Sequence, residues 1–175
     1  NPVTRQYDGS RHRSANQEFR DLFRESWTAD HEVGRRNTRN PSFTWDIAST
    51  TAFGEPLQMT SVGNGGFRSL VVGSVGGNDR AAVKLTEELA RYVHRNQLIM
   101  GGVSTTILRT LNPDGMKLGG HENSDRVYLN QQFPGSGLRL SSTEFQRLPK
   151  EIQFLINLVD DQRPERIIHI RTVRG

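Results

Sequence analysis

The stretch SLVVGSVGGNDRAAVKLTEELARYV, Ser69 to Val93, decides how the rest of the chain is read. An apolar run of Leu70, Val71 and Val72 enters a turn holding Gly73, Gly76 and Gly77, and an amphipathic pattern leaves it. A short continuous apolar run suits a strand covered on both faces. Ala82, Leu85, Leu89 and Val93 then recur at helical spacing, which predicts a helix from Asp79 to His94 with those four facing the core. In a strand, glycine turn and helix of this kind, the helix N-terminal amides can hold an anion. This turn, however, lacks the Lys-Ser/Thr of a P-loop, its glycines miss the GxGxxG spacing, and Asp79 repels a phosphate. A Gly-loop nucleotide binder is therefore the weakest reading. A plain tight turn that needs glycine for positive φ and close approach is the simplest.

Working outward, Pro56 to Val62 reads as a strand and Ser61 to Gly66 as a tight turn. Arg68 to Gly73 reads as the return strand, so the three predict a hairpin. Val103 to Leu111 is β-rich and ends in Asn112-Pro113-Asp114-Gly115, which reads as a turn because Pro presets φ and Gly accepts positive φ. Ser141 or Ser142, with Glu144 near the third helical position, predicts one capped helix running to about Asp161. Arg166 to Thr172 reads as a closing strand. Strands alternating with helices predict an α/β sandwich with a mixed, mostly parallel sheet and helices on both faces. Residues 1–54 read differently, as a polar, Arg-rich arm whose one helical pattern is Phe19, Leu22, Phe23 and Trp27. The α/β domain is expected over 55–175.

Composition limits the function classes. Hydrophobic residues make up 33% of the 175, low enough that part of the chain is expected to pack little. The formal charge is +4, but acids are interspersed with the cations and aromatics are only 7%, so the basic stripe with interleaved aromatics of a nucleic-acid module is missing. We expect no nucleic-acid partner. The absence of cysteine excludes thiolate metal sites and Cys nucleophiles. No apolar run approaches the ~18 residues of a spanning helix, so no membrane partner is expected. The chain opens on Asn1, which reads as a processed or excised piece. His12, His31, His94, His121 and His169 show no HxxxH or HExxH spacing, no serine sits in a GxSxG elbow, and His94 suits a structural role at a helix C-terminus.

Four segments in order, LVVGSVGGND, LRTLNPDG, YLNQQFP and IIHIRT, resemble the zinc metallocarboxypeptidase family, especially its compact bacterial members that trim cell-wall peptides. The resemblance covers roughly Glu55 to Gly175 and implies the incomplete N-terminal part of a three-layer sandwich. In that family the first segment is a Gly-x-x-His-Gly-x-Glu turn supplying two zinc ligands, and a later Asp-x-His supplies the third. Carried over, the ligand positions become Gly76, Asp79 and Arg171, and the Asp that orients a ligand His becomes His169. The substrate-carboxylate positions become Asn130, Gln131 and, nearby, His121. Gly76 has no side chain, and Arg171 is a permanent cation that cannot coordinate zinc. Zinc needs about three protein ligands and an open position, so the resemblance implies a lost zinc site with no cofactor and no catalytic residue. The family's general-base Glu lies beyond the third-ligand strand, past Gly175.

The leading expectation is therefore a non-catalytic pseudoenzyme that keeps a binding or scaffolding surface for a peptide or small anionic ligand. The alternative is an active metal-dependent peptidase or amidase, either using Asp79, His121 and His169 or completed by another chain. Two structural expectations follow. An Arg171–Asp79 ion pair should fill the old metal locus. The C-terminal strand should present an open edge that self-associates or is covered by the arm, with Trp27 or Trp45 packed on the body.

Overall fold

The structure, a computed structural model, describes residues 43–97, 101–135 and 139–172. Five strands, β1 (Asp46–Thr50), β2 (Pro56–Val62), β3 (Phe67–Ser74), β4 (Val103–Thr110) and β5 (Arg166–His169), form one sheet in the order β1-β2-β4-β3-β5. β3 pairs in parallel with β4 on one side and β5 on the other. β2 runs antiparallel to both of its neighbours, so four of the five strands point the same way. The helices are α1 (Arg80–Arg95), α2 (Pro113–Leu118), α3 (Ser142–Arg147) and α4 (Lys150–Gln162), with a 3-10 turn at Leu129–Gln131.

The apolar run of β3 explains the layering. Alternate side chains of a strand point to opposite faces, and Leu70 and Val72 go to one core while Val71 goes to the other. The first core joins them to Leu108, Leu111, Leu129 and the α4 residues Ile152, Leu155 and Leu158. The second joins Val71 and Ile107 to Ala90 and Val93 of α1, with Phe43 and Trp45 packed against it. Helices thus cover both faces, as the strand–helix alternation predicts. Trp45 packs on the body, whereas Trp27, the Phe19–Trp27 pattern and the rest of the arm before position 43 lie outside the described residues.

Five local expectations change. The first is the hairpin: β4 lies between β2 and β3, so the glycine-rich link is a crossover. It passes over the start of β4, where the Gly65 amide donates to the Val103 carbonyl at 3.4 Å and the Phe67 amide to that of Gly102 at 3.1 Å. A Cβ at Gly65 would run into the Gly102 backbone, and Gly63 has φ +82. Turn-forming residues announce a change of direction but not which strand is met next. Second, Asn112-Pro113-Asp114-Gly115 begins helix α2. Asn112 caps it by accepting from the Gly115 amide at 2.8 Å, and Pro takes the first turn, where its missing N–H costs nothing.

Third, the helix expected from Ser142 to Asp161 is two helices, because Pro149 cannot supply an amide to a continuous one. The Ser141–Glu144 capping box does form. Fourth, the core stripe of α1 is Ala82, Val83, Thr86, Ala90 and Val93, and Leu85 is exposed. Small residues bring the helix close to the sheet, and buried Thr86 returns its hydroxyl to the Ala82 carbonyl at 2.8 Å. Fifth, the sheet reaches back past the boundary drawn between 54 and 55, since β1 pairs with β2 within a compact unit from Ser42 to Gly175. DIAST offers one large apolar side chain, Ile47, and it is exposed, so no hydrophobic pattern marks this strand.

Both edges are visible. β1 is irregular between Ile47 and Ser49, a kink that discourages pairing. β5, four residues rather than the expected seven, leaves Ile167 and Ile168 exposed on opposite faces. Among the described residues no helix is long and apolar enough to cross a membrane.

The crossover gives a direct test. Gly65→Ala should destabilise the domain by about 1–3 kcal/mol through backbone overlap. Gly66→Ala, whose Cβ meets nothing within 4 Å, should stay within about 0.5 kcal/mol of the parent. Urea unfolding of the two variants checks the contrast, and equal losses would contradict the crossover.

Candidate functional site

In open sheets with parallel strands, ligands gather at the strand carboxyl ends where the chain leaves in opposite directions. Here that point is the end of β3: the chain goes through α1 to β4 on one side, and β5 lies on the other. The ends of β3 and β4 are bound together. The Leu111 amide and the Thr110 hydroxyl both donate to the Ser74 carbonyl at 2.9 Å, and Ser74 Oγ closes a very short hydrogen bond to the Gly76 carbonyl. Asn112, fully buried, donates through Nδ2 to the His121 carbonyl at 3.2 Å, and the Gly77 amide reaches the same carbonyl at 3.4 Å. Asn112 thus fixes the 119–122 loop over the glycine turn. The sequence reading missed this role, although Asn before Pro is a helix-start signature that could have revealed it.

The glycine turn is not an anion cradle. A Cβ on Gly77 would strike the backbone of Gly115 and Gly120, so the turn is packed against the neighbouring loop. Gly76 faces His121, whose Nδ1 lies 4.0 Å from where a Cβ would stand. His121 is exposed, and its Nε2 lies 2.8 Å from Asn78 Nδ2.

Asp79 joins this turn to the last strand. Its Oδ1 accepts the Ala82 amide at 3.1 Å, capping α1, and its Oδ2 accepts the Thr172 amide at 2.7 Å. Both carboxylate oxygens are therefore engaged by backbone donors. Partial burial works against ionisation, but the bonds from Thr172 and Ala82 outweigh it and hold Asp79 below its ordinary value. Loss of water contact pulls the His169 pKa down, the nearby Arg171 cation adds to this, and Asp79 opposes it.

The expected proximity is met. The Thr172 amide follows Arg171 directly, which places Arg171 and Asp79 well short of the ~15 Å Cα separation that would lie beyond side-chain reach. The expected ion pair is not formed. Arg171 is exposed, and among the described residues no ion pair joins it to Asp79. The physical reason is competition: a backbone amide two bonds from the Arg171 Cα reaches the carboxylate first, without the entropy cost of ordering a long side chain. Asn130 and Gln131 sit exposed on the 3-10 turn, anchored by buried Leu129 between them and Tyr128. No hydrogen bond or ion pair connects either to Asp79, His121 or His169. His94 is structural, though not as a helix-end cation: burial lowers its pKa while Asp46 opposes, and Nε2 meets Thr60 Oγ1 at 2.7 Å.

The residues present do not fit a zinc ion. Gly76 offers no donor and Arg171 is cationic, which leaves Asp79, already accepting two amides, as one possible ligand at the matched positions where zinc needs about three. Nor, among the described residues, do three or more His, Asp or Glu gather in a way that could hold a metal, which leaves the Asp79, His121 and His169 set unassembled.

No protein-family model matches the sequence, and no curated protein matches it. Solved structures do. A carboxypeptidase A-like protein from Shewanella denitrificans superposes with TM-score 0.61 at 16% identity, over 90% of this chain and 39% of that one. A murein-tripeptide amidase from Escherichia coli O157 gives 0.55 at 18%, over 79% and 66%. A succinylglutamate desuccinylase/aspartoacylase from Rhodobacter sphaeroides gives 0.55 at 18%, over 74% and 38%. The fold is metallocarboxypeptidase-like. The chain spans 39% of the first of these proteins.

Asp79 provides the test of this geometry. Asp79→Ala should cost about 1–2 kcal/mol as a lost helix cap, whereas Arg171→Ala should stay within about 0.5 kcal/mol. The double variant should equal the sum. Since the folded pKa of Asp79 is depressed, its contribution is full above the unfolded value and is lost as pH falls through the folded one. Urea titrations of parent and Asp79→Ala from neutral to acid pH should therefore converge.

Proposed function

We propose that this is a metallocarboxypeptidase-like domain without the zinc centre and without peptidase activity, acting as a binding surface for a peptide or small anionic ligand. One observation carries the reading: the only carboxylate at the matched ligand positions has both oxygens committed to amides of the chain itself. Without a metal-bound water there is no nucleophile of lowered pKa and no polarised carbonyl. What remains at the strand ends is polar and accessible. Asn130, Gln131, His121 and Arg171 are all exposed there or on loops, a set suited to carboxylate or peptide groups.

The zinc content of protein purified from zinc-supplemented medium tests this, together with hydrolysis of C-terminal peptide bonds and of murein-type peptides. We expect far less than one zinc per chain and no turnover. Stoichiometric zinc that disappears in Asp79→Ala, with hydrolysis, would favour the active-enzyme reading, including completion of the site by another chain.

The partner proposed for the β5 edge is a second copy. Among the described residues no strand pairs with its outer side, and Ile167 and Ile168 flank that side on both faces. Sedimentation should show concentration-dependent dimers that Ile168→Lys shifts toward monomer. A monomer at all concentrations would contradict the pairing.

A further inference from the structure

A second polar feature lies inside the molecule, away from the zinc-type positions. Glu151, in the first turn of α4, is 1% exposed, and Asp114, in the first turn of α2, is 2% exposed. Each has one oxygen satisfied. Thr51 Oγ1 donates to Asp114 Oδ1 at 3.0 Å, and Asn123 Nδ2 donates to Glu151 Oε1 at 3.3 Å. The other oxygen of each, Asp114 Oδ2 and Glu151 Oε2, is buried without a hydrogen-bond partner. Buried polar atoms are nearly always paired, and an unpaired ionised carboxylate is far more costly than a neutral acid.

The surroundings decide which form Glu151 takes. From α2 it faces the negative charge of Asp114, and from the 123–127 loop that of Asp125. Asn123 is neutral, and its Oδ1 is already filled by the Asp125 and Val127 amides. From β3, from β4 and the residue after it, and from the 3-10 turn come Leu70, Val72, Leu108, Leu111 and Leu129, the core in which the adjoining α4 residue Ile152 is packed. Lys117 of α2, exposed, is paired with Glu55. Among the described residues no cation pairs with Glu151. Burial pushes its pKa up, and Asp114 and Asp125 push the same way. Its own backbone amide and the Asn123 bond work against them without prevailing.

We propose that Glu151 is a buried, proton-holding carboxylic acid whose ionisation is opposed by the burial of both acids, and that keeping its proton keeps the start of α4 seated in the core. Protonation turns one of the two unpaired acceptors into an O–H donor and spares the core a second buried charge. Ionisation removes that donor and sets two negative charges in one apolar surround.

The sign follows from a raised folded value. Below the ordinary glutamate value of 4.5 both states are protonated and nothing is lost. As pH rises, the unfolded chain releases its proton first, so this group's contribution falls until the raised folded value is passed, then levels off. Glu151→Gln mimics the neutral acid. Relative to the parent it should gain stability as pH rises from 5 to 9 in urea unfolding. The 13C shift of the Glu151 carboxyl should titrate with a midpoint above 4.5 in the parent and at a lower pH in Asp114→Asn. A midpoint at the ordinary value, or a stability difference between parent and Glu151→Gln that does not change with pH, would overturn the proposal. If Glu151→Gln fails to fold, the carboxyl titration in the parent and in Asp114→Asn decides alone.

Discussion

The carboxylate of Asp79 is shared between two elements that are far apart in the chain. One oxygen starts α1 by accepting the Ala82 amide, and the other holds the segment after β5 through the Thr172 amide. That second bond spans 93 residues and fixes how the end of β5 meets the switch point beside β3. Asp at a helix N-cap is common, and capping alone would leave one oxygen free. The Thr172 amide takes that oxygen, which turns a local capping residue into a tertiary clamp. A metal at this carboxylate would have to share it with both amides and recruit further ligands. Glycine stands at one matched position and a cation at the other, so neither of them supplies a further ligand.

The fold does not depend on that chemistry. Its organisation comes from β3, whose Leu70, Val71 and Val72 supply both cores, and from helices whose small or aliphatic faces cover them. Backbone closeness does the rest. At Gly65 and Gly77 the chain passes so near other backbone that no side chain fits, and these contacts set the crossover over β4 and seat the 115–120 loop on the glycine turn. Hydrophobic layering and glycine contacts of this kind persist whatever side chains stand at the strand ends. This is how a structure can keep a TM-score of 0.61 to a carboxypeptidase-like protein at 16% identity.

The sequence was most informative where several signals agreed. The apolar run 70–72, the periodic residues after Asp79 and the four ordered segments together placed β3, α1, β4 and β5 and the sandwich they form. They also placed Gly76, Asp79 and Arg171 at neighbouring strand ends. It was least informative where the deciding partner is distant. Nothing local in SVGNGG says that β4 will enter between two apparent hairpin strands, and nothing in DIAST marks a strand whose one large apolar side chain is exposed. Pro149 was a readable helix break that the long apolar pattern obscured. At the site, charge complementarity suggested an Arg171–Asp79 pair, while the Thr172 amide, invisible in a list of side chains, occupies that oxygen. Asn112 and the buried acids Asp114 and Glu151 were likewise hidden, because polar residues in a turn motif give no sign that they will be interior.

The commitment of Asp79 to its own backbone can be read atom by atom. In a zinc titration followed by amide NMR, the Ala82 and Thr172 resonances report on the two bonds directly. If the carboxylate is the clamp described, both should stay in place at one equivalent of zinc, as they do without it. Large, saturable shifts of both amides at one equivalent would mean that the metal binds this carboxylate, and the proposed loss of the zinc centre would be contradicted.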